Sequence, residues 1–343
     1  MKKLLNTLYV TLPDAYLALE GENVVVRCNE ETRLRVPLHN LEGIVSFGYT
    51  GASPALMGAC AEKQIALTFL TANGRFLAGL VGQERGNVVL RKTQYRHSDD
   101  EVLSARIAKN ILIGKLHNSR WVLERAVRDH AARLDTEKVR RAAHMIVEAI
   151  SLLREAESLD EMRGIEGEAA TRYFSVFDEM ILQNKDAFFF HTRNRRPPLD
   201  NVNALLSFTY TLLANDAASA LSAVGLDPFV GFLHRDRPGR RSLALDLIEE
   251  LRAPVADRFV LTLINMRQVE GAGFYQKENG AVIMRDETRR ALLTAWQNRK
   301  QEQIVHPFLK EKIEWGVVPH AQAQLLARYL RGDLDEYPPF LWK

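Results

Sequence analysis

Two segments of the chain, about sixty residues apart, carry the side chains best suited to chemistry. The first is Arg-Gly-Ile-Glu-Gly at 163–167, and the second extends from His234 to Glu250. Together they supply one imidazole, several carboxylates and many arginines. Carboxylates and imidazoles bind hard or borderline divalent cations, whereas arginines bind phosphate. A metal site flanked by phosphate-binding groups is what the cleavage or joining of phosphodiester bonds requires.

The second segment contains a predicted short helix with three acidic residues. Asp246, Glu249 and Glu250 stand at positions i, i+3 and i+4, so a helix places them on one face. Such a cluster is usually a solvated surface. Here the neighbouring residues are apolar and indicate a buried helix; they are Leu243, Leu245, Leu247, Ile248 and Leu251. Buried carboxylates need a partner, which a metal cation or arginines would provide.

A histidine and a basic loop come just before this helix. His234 follows the apolar run 229–233, where a histidine is more often a core residue than a metal ligand. Its position twelve residues before Asp246 favours a ligand. Four arginines share the connecting loop, with only one aspartate to offset them; they are Arg235, Arg237, Arg240 and Arg241. This loop is either an exposed basic surface or a set of phosphate-binding groups.

The first segment offers one carboxylate between two glycines. Glu166 lies between Gly164 and Gly167, near the start of a predicted helix. Glycines beside a carboxylate permit the close approach of a ligand. The alternative is a first-turn glutamate that the helix dipole favours. Glu168, two positions further on, is a competing candidate for the same role.

A second basic cluster lies further along the chain. Arg193, Arg195 and Arg196 follow the aromatic stretch 188–191, so aromatic and basic side chains interleave. This pattern is typical of a platform on which nucleic-acid bases stack. It is equally typical of the edge of a hydrophobic core beside a surface loop, and the sequence leaves both interpretations open.

The elements that must position these residues change character near residue 96. Residues 1–95 read as short β-strands separated by turns, interrupted by one helix at about 53–63 that begins at Ser53-Pro54. From Glu101 onward apolar residues recur at helical spacing, with one predicted hairpin around 274–284. The predicted fold class is therefore α+β. A small N-terminal β-sheet or sandwich domain, 1–96, precedes a larger, mostly α-helical catalytic domain, 97–343.

Composition sets further bounds on function. The net charge of the 343 residues is +3, and residues 97–343 hold 35 basic against 35 acidic residues, so any nucleic-acid surface there must come from local clustering. Two cysteines, Cys28 and Cys60, make no disulfide framework and agree with a reducing compartment. No apolar run approaches a membrane span of about 20 residues, and the polar residues that follow 1–5 argue against a signal peptide. We expect a cytoplasmic protein without membrane contact.

Several segments, taken in order, resemble one known family. They are 163–167, Asn-Ala-Leu-Leu-Ser-Phe-Thr-Tyr at 203–210, Gly-Leu-Asp-Pro at 225–228, Gly-Phe-Leu-His at 231–234, Arg-Pro-Gly at 237–239 and Ser-Leu-Ala-Leu-Asp-Leu at 242–247, with 71–75 and 87–91 in the β region. Each is short, but their order and spacing resemble the CRISPR-associated endonuclease/integrase family, the first-numbered Cas protein. Tyr-Pro-Pro-Phe-Leu-Trp at 337–342 resembles its type I-C branch.

The resemblance implies a set of site residues. The family's metal ligands fall on Glu166, His234 and Glu249, with Mg²⁺ or Mn²⁺ as the expected cation. Asp246 falls on a supporting acidic position of the catalytic site. Family members often have aspartate where Glu249 stands, so Glu250 remains an alternative ligand. Five arginines are candidates for contacts with DNA phosphates; they are Arg163, Arg235, Arg237, Arg240 and Arg241.

The resemblance also implies an activity and partners. The protein would be a homodimer that joins the 3′-OH ends of new spacer DNA to the CRISPR leader-repeat by transesterification. Its partners would be prespacer DNA, the small second-numbered Cas protein and a Cas nuclease that trims the fragment ends. Two alternatives remain: a stand-alone metal-dependent nuclease acting on branched or single-stranded DNA, and a DNA-binding scaffold without catalysis.

Overall fold

The structure is a computed structural model, and it describes residues 7–12, 14–29, 31–71, 76–80 and 88–343. Contacts divide the chain into two compact units. One comprises Met1–Arg85 with Met284–Glu302, and the other Gly86–Ile283 with Gln303–Lys343. The sequence placed the boundary near residue 96. The family-like residues 72–75 and 87 lie outside the described residues.

The described residues of the first unit form seven strands and two α-helices. The strands are β1 (Thr7–Val10), β2 (Tyr16–Glu20), β3 (Asn23–Cys28), β4 (Glu31–Pro37), β5 (Gly43–Phe47), β6 (Ala66–Leu70) and β7 (Phe76–Leu80). They form a four-stranded sheet of order β1-β5-β6-β7 and a three-stranded antiparallel sheet of order β2-β3-β4. Within the first sheet β1, β5 and β6 run parallel. The N-terminal part of the chain therefore consists mainly of strands, as the fold-class prediction requires.

A helix crosses between β5 and β6, because parallel neighbours need such a connection. This is α1 (Pro54–Lys63), which begins as predicted: Ser53 accepts a hydrogen bond from the Leu56 amide at 3.2 Å, and proline takes the first position. The buried face of α1 joins the core between the sheets. That core includes Leu17, Val24, Val26, Ile44, Leu56 and Leu67.

The second unit is mostly helical, which confirms the predicted fold class. Its helices are α2 (Val88–Asp99), α3 (Glu101–His130), α4 (Thr136–Glu155), α5 (Leu159–Ser175), α6 (Asn201–Ala223), α7 (Ser242–Leu251), α8 (Arg258–Asn265) and α10 (Val318–Leu330), while α9 (Asp286–Gln301) belongs to the first unit. None of the helices within the described ranges is long and apolar enough to span a lipid bilayer.

Helix α2 corrects the sequence interpretation of residues 88–95 as β. The run Val88-Val89-Leu90 suggests a strand, yet Leu90 and Gln94, four residues apart, are the buried positions. The Gln94 amide donates to the carbonyls of Asp227 and Val230, both at 2.8 Å, and accepts from the Asp227 amide at 2.9 Å. This tertiary contact outweighs the β propensity of the two valines.

The predicted short helix after the basic loop is α7, and neither of its ends follows the usual sequence signals. Ser242 is the first residue of α7 rather than its N-cap; the N-cap is Arg241, which forms no side-chain cap hydrogen bond. Pro254 does not end the helical path either, since Arg252–Asp257 form a π-helical segment that leads directly into α8. The wider turn accommodates proline, which lacks an amide hydrogen to donate.

Two hairpins complete the second unit. The predicted one is present as β8 (Phe274–Gln276) and β9 (Val282–Met284), with Gly280 in the left-handed region at φ +80°. The sequence analysis missed the second, β10 (Gln303–Val305) paired with β11 (Lys312–Glu314). Strands of three residues carry too little periodicity to be recognised.

The C-terminal segment 331–343 has no regular secondary structure but buries Tyr337, Phe340 and Trp342. Asn118 of α3 binds it: the Asn118 amide donates to the Phe340 and Glu250 carbonyls, both at 2.6 Å, and accepts from the Trp342 amide at 2.8 Å. One buried side chain thus connects α3, α7 and the end of the chain.

Replacement of Asn118 by alanine should destabilise the second unit. Three buried backbone groups would lose their partner, and we expect the free energy of unfolding to fall by about 2–3 kcal/mol. Urea denaturation of N118A measures the change. N298A, which removes an exposed asparagine from α9, is the control and should match wild type. Equal stability of N118A and wild type would contradict this account of the C-terminal segment.

Candidate active site

Glu166 is placed by helix α5. Ser158 caps α5, since its hydroxyl accepts from the Glu161 amide at 3.2 Å, and the Glu161 carboxylate accepts at 3.2 Å from the amide of Glu157, one residue before the cap. Glu166 is therefore the eighth residue of α5 rather than a residue near its start, so the alternative interpretation, a first-turn glutamate favoured by the helix dipole, is wrong. Glu168 is 70% exposed and pairs with Arg172 at 3.2 Å.

The three acidic residues of α7 have three different sets of partners. Asp246 is buried and accepts hydrogen bonds from the backbone amides of Phe232 at 2.7 Å, Leu233 at 3.0 Å and His234 at 3.0 Å. Its Oδ1 also lies 2.6 Å from His234 Nδ1. The carboxylate therefore fixes both the 232–234 backbone and the imidazole ring. The other ring nitrogen, Nε2, is the one that could bind a ligand.

Close packing at Gly231 makes this arrangement possible. A Cβ at Gly231 would lie 2.8 Å from Asp246 Oδ2 and 2.9 Å from the Ser242 backbone and side chain. Only glycine lets the loop approach α7 closely enough for Asp246 to reach three amides. At Gly164 and Gly167, by contrast, a Cβ would meet nothing within 4 Å.

Glu250 is a structural residue of the fold. It is fully buried and accepts from the Tyr337 hydroxyl at 2.5 Å, the Gln322 amide at 2.8 Å and the Phe340 backbone amide at 2.8 Å. Burial raises the pKa of Glu250 to about 7, although these hydrogen bonds oppose the shift. Its carboxylate thus holds the C-terminal segment, on the side of α7 away from His234.

Glu249 joins Glu166 and His234 in a charged cluster. Its Oε1 lies 3.9 Å from His234 Nε2 and 2.9 Å from Arg252, and its Oε2 lies 2.6 Å from the Lys115 ammonium. The same ammonium forms a very short ion pair with Glu166. Residues from α3, α5, α7 and the 231–234 loop therefore meet at one point.

The charges of this cluster stabilise one another. Burial alone would raise the pKa of Glu249, but Arg252, Lys115 and His234 lower it to about 2. Burial likewise opposes the charge on Lys115, yet Glu249 and Glu166 raise the pKa of its ammonium above the usual value. The site thus keeps the Glu249 carboxylate ionised beside a fixed positive charge.

Lys115 and Arg252 were missed in the sequence analysis. Lys115 interrupts the apolar stripe of α3, where Ile111, Leu112, Ser119 and Val122 are buried. A lysine at such a position signals a buried anionic partner, and that signal was available. Arg252 follows Glu249 by three residues, but its inward direction depends on the π-helical turn, which no local pattern predicts.

The donors of the cluster fit a divalent cation chemically. In the described parts of the chain no three His, Cys, Asp or Glu side chains stand ready to hold a metal together. The Oε2 atom of Glu249 is nevertheless buried without a hydrogen bond of acceptable geometry. Its close contact is the positively charged Lys115 ammonium at 2.6 Å. The donor set is two carboxylates and one imidazole, which is typical of Mg²⁺ or Mn²⁺ sites. The imidazole Nδ1 is hydrogen-bonded to Asp246, as is usual for a histidine that binds metal through its other nitrogen.

Of the five predicted phosphate-binding arginines, Arg240 is partly buried, and the other four fall into two groups. Arg163 donates to the Leu233 carbonyl at 2.7 Å and to Asp160 at 2.6 Å, and Arg241 donates to Asn215 at 2.8 Å, so both support the protein's own structure. Arg235 and Arg237 are exposed. An open cleft of about 290 Å³ reaches His234 and is lined by Ser98, Asp160, Arg163 and Arg235 among others.

The second basic cluster also contains both partly buried and exposed arginines. Arg193 lies over the Tyr210 ring at 5.3 Å and donates to Asn203 at 2.6 Å, whereas Arg195 and Arg196 are exposed. Phe188 and Phe190 are buried, and Phe190 stacks on Phe174. These contacts favour the core-edge interpretation for most of the cluster. Phe189 and His191 point outward as a tilted pair of rings, 5.1 Å apart.

Behind the site lies a buried carboxylate with two tyrosines. Asp257 accepts from the hydroxyls of Tyr210 at 2.6 Å and Tyr173 at 3.0 Å. Tyr173 belongs to the helix of Glu166, and Arg252 stacks on the Tyr210 ring at 5.1 Å. Asp257 thereby links α5, α6 and the π-helical segment behind the charged cluster.

Comparisons with known proteins point to one family. A family profile described as CRISPR associated protein Cas1 matches residues 8–298. The chain is 52% identical over 343 residues to CRISPR-associated endonuclease Cas1 1 of Chlorobaculum tepidum, with 100% of both chains covered. It is 35% identical over 341 residues to a CRISPR-associated exonuclease Cas4/endonuclease Cas1 fusion of Geobacter sulfurreducens, covering 97% of this chain and 60% of the fusion.

Solved structures show the same fold. A casposase bound to integration product matches with a TM-score of 0.84 at 23% identity, covering 98% of this chain and 93% of that one. A chain of a Cas6-RT-Cas1–Cas2 complex matches with a TM-score of 0.83 at 22% identity, covering 100% and 36%. From the profile and the full-length relative, the chain belongs to the Cas1 family of CRISPR-associated proteins.

Asp257 should make stability depend on pH. Burial raises its pKa from 3.8 to about 6, although the two tyrosine hydroxyls oppose the shift. The folded state then binds more protons than the unfolded state between about pH 4 and about pH 6, so the stability that this group contributes is lost as the pH rises through that window. Between about pH 4 and about pH 6 we expect the free energy of unfolding of wild type to fall by on the order of 3 kcal/mol relative to that of D257N.

Urea denaturation of wild type and D257N, at about pH 4 and about pH 6, measures this difference. Only the difference between the two proteins is interpreted, because other groups titrate equally in both. A constant difference across the window would show that Asp257 keeps an ordinary pKa in the folded protein.

Proposed function

We propose that this protein is a metal-dependent DNA integrase that inserts new spacers into a CRISPR array. The observation that supports the proposal most is the meeting of Glu166, Glu249 and His234 at one point, with the imidazole oriented by Asp246. Family membership supports it independently, because a relative that is 52% identical to this chain is named a CRISPR-associated endonuclease.

In this proposal Glu166 and Glu249 provide carboxylate oxygens for Mg²⁺ or Mn²⁺, and His234 provides Nε2. When bound, the cation supplies Lewis-acid stabilisation of the charge that develops on the scissile phosphate. Asp246 keeps the imidazole in the tautomer with its proton on Nδ1, so that the lone pair of Nε2 faces Glu249. Glu250 is excluded as a ligand in this scheme by its contacts with Tyr337, Gln322 and Phe340.

The reaction is a transesterification. The 3′-hydroxyl of the incoming DNA loses its proton and attacks a phosphate of the repeat in line; a new P–O bond forms, and the bond to the 3′-oxygen of the cut strand breaks, so that this oxygen takes up a proton and leaves as a hydroxyl. The number of phosphodiester bonds is conserved, so neither a covalent protein intermediate nor an external energy source is needed. The exposed arginines Arg235 and Arg237 hold DNA phosphates beside the cleft.

We further propose that the protein acts as a homodimer with the small Cas2 protein on prespacer DNA, with Cas4 as the nuclease that trims fragment ends. A structural relative is a chain of a complex that contains Cas2, and a sequence relative is a fusion with Cas4. The type I-C assignment rests on the C-terminal motif at 337–342, which the fold uses to hold Glu250.

Substitutions in the cluster should abolish strand joining while leaving the fold intact. H234A and E249Q should each lower joining of a prespacer into a repeat-containing plasmid by on the order of 100-fold or more, because each removes a proposed metal ligand. The assay uses the protein with its Cas2 partner in Mn²⁺, followed on gels, with circular dichroism to verify folding.

The matched controls are E168Q, which makes the same charge change on the exposed side of α5, and H144A, which removes an exposed histidine. Both should join DNA like wild type. Full activity of H234A or E249Q would refute the site. Full activity without Cas2, yielding cleaved rather than joined DNA, would instead favour a stand-alone nuclease. DNA binding that ignores chelator, without joining, would favour a scaffold.

A further inference from the structure

The Lys115 ammonium occupies the centre of the proposed metal site. It lies 2.6 Å from Glu249 Oε2, pairs with Glu166 at shorter range, and its side chain is only 14% exposed. Two carboxylates brought together without a cation would repel each other strongly in this buried setting. A lysine placed between them therefore performs the electrostatic task that a divalent cation would perform.

The backbone that carries Lys115 is held in place. A Cβ at the neighbouring Gly114 would lie 3.0 Å from Glu250 Oε2 and 3.0 Å from Pro339 Cβ, so α3 is pressed against α7 and the C-terminal segment. Ser119 also donates to the Lys115 carbonyl at 2.9 Å. Withdrawal of the ammonium from the cluster must accordingly come from rotation of the flexible four-carbon side chain, not from movement of the helix.

We propose that Lys115 is a tethered cation that holds Glu166 and Glu249 together in the metal-free protein and is displaced from between them when the divalent cation binds. The inference rests on the proposed function, because it takes these carboxylates as the metal ligands. Lys115 is thus a positioning residue that competes with the metal. Its occupancy of the site lowers the apparent affinity for the cation, since only molecules with the ammonium displaced can bind it.

Two opposite effects of one substitution follow. K115M keeps the length and apolar stem of the side chain but removes the charge. Without metal, K115M should melt at a lower temperature than wild type, because Glu166 and Glu249 lose their shared partner. For Mn²⁺, K115M should bind on the order of tenfold more tightly, because no tethered cation competes. Mn²⁺ should then stabilise K115M more than it stabilises wild type.

Electron paramagnetic resonance of free Mn²⁺ during titration measures the affinity, and thermal unfolding in EDTA and in Mn²⁺ measures stability. K109M is the matched control, since Lys109 is a partly buried lysine of the same helix that lies outside the cluster and donates to the Arg154 carbonyl. It should change neither quantity. The double variant K115M/E166Q, which removes both charges of one ion pair, should recover the metal-free stability that K115M loses.

The inference is overturned if K115M melts like wild type in EDTA, or if it binds Mn²⁺ no more tightly than wild type. Should K115M fail to fold in EDTA, the failure of K115M/E166Q to restore folding would overturn it equally, whereas restoration would support it. Wild type is titrated in the same series. Wild-type protein that binds no Mn²⁺ would refute the proposed function itself, so the two failures are distinguishable.

Discussion

The burial of three carboxylates on the ten-residue helix α7 is the constraint on which the catalytic unit depends. An isolated ionised carboxylate in a protein interior costs several kcal/mol, so each must find its own compensation. Asp246 finds it in a loop of backbone amides and an imidazole, Glu249 in Lys115 and Arg252, and Glu250 in the C-terminal segment. Each solution brings a distant part of the chain to the same helix.

Because of this constraint, the same contacts stabilise the fold and position the site residues. The contacts of Glu250 anchor the C-terminal segment, and those contacts fix the rotation of α7. The same rotation directs Glu249, one residue earlier, toward α3 and α5. Asp246 then lies one turn back, where it orients His234. The contacts that neutralise the buried carboxylates therefore also place the residues of the site. Asp257, which accepts hydrogen bonds from two tyrosines, supports the cluster from behind.

The sequence predicts a good part of this arrangement and misses the rest for physical reasons. Strand and helix periodicity predicted the N-terminal strands and α1, because those elements carry clear local signals. The start of α2 was missed, because Gln94 makes a tertiary contact that no local pattern reports. No local pattern predicts that the helical path of α7 continues past Pro254, because a π-helical turn departs from the usual rule that proline ends a helix.

The sequence singled out three residues of the charged cluster, Glu166, His234 and Glu249, but not the cations that balance their charge. The spacing of Asp246, Glu249 and Glu250 placed them on one helix, yet only packing shows that they point to different partners. Lys115 lies about fifty residues before Glu166 in the chain, so its role depends wholly on how α3 packs. A long-range ion pair leaves no periodic trace in a single sequence; its nearest signal is a charge within an apolar stripe.

The central claim is that Glu166, Glu249 and His234 together hold one divalent cation. Anomalous diffraction from crystals grown with Mn²⁺ tests it most directly. The account predicts a single strong peak about 2.0–2.4 Å from an oxygen of each glutamate and from His234 Nε2, with the Lys115 ammonium no longer between the carboxylates. A peak elsewhere in the protein, or no peak with Lys115 still joining Glu166 and Glu249, would contradict it.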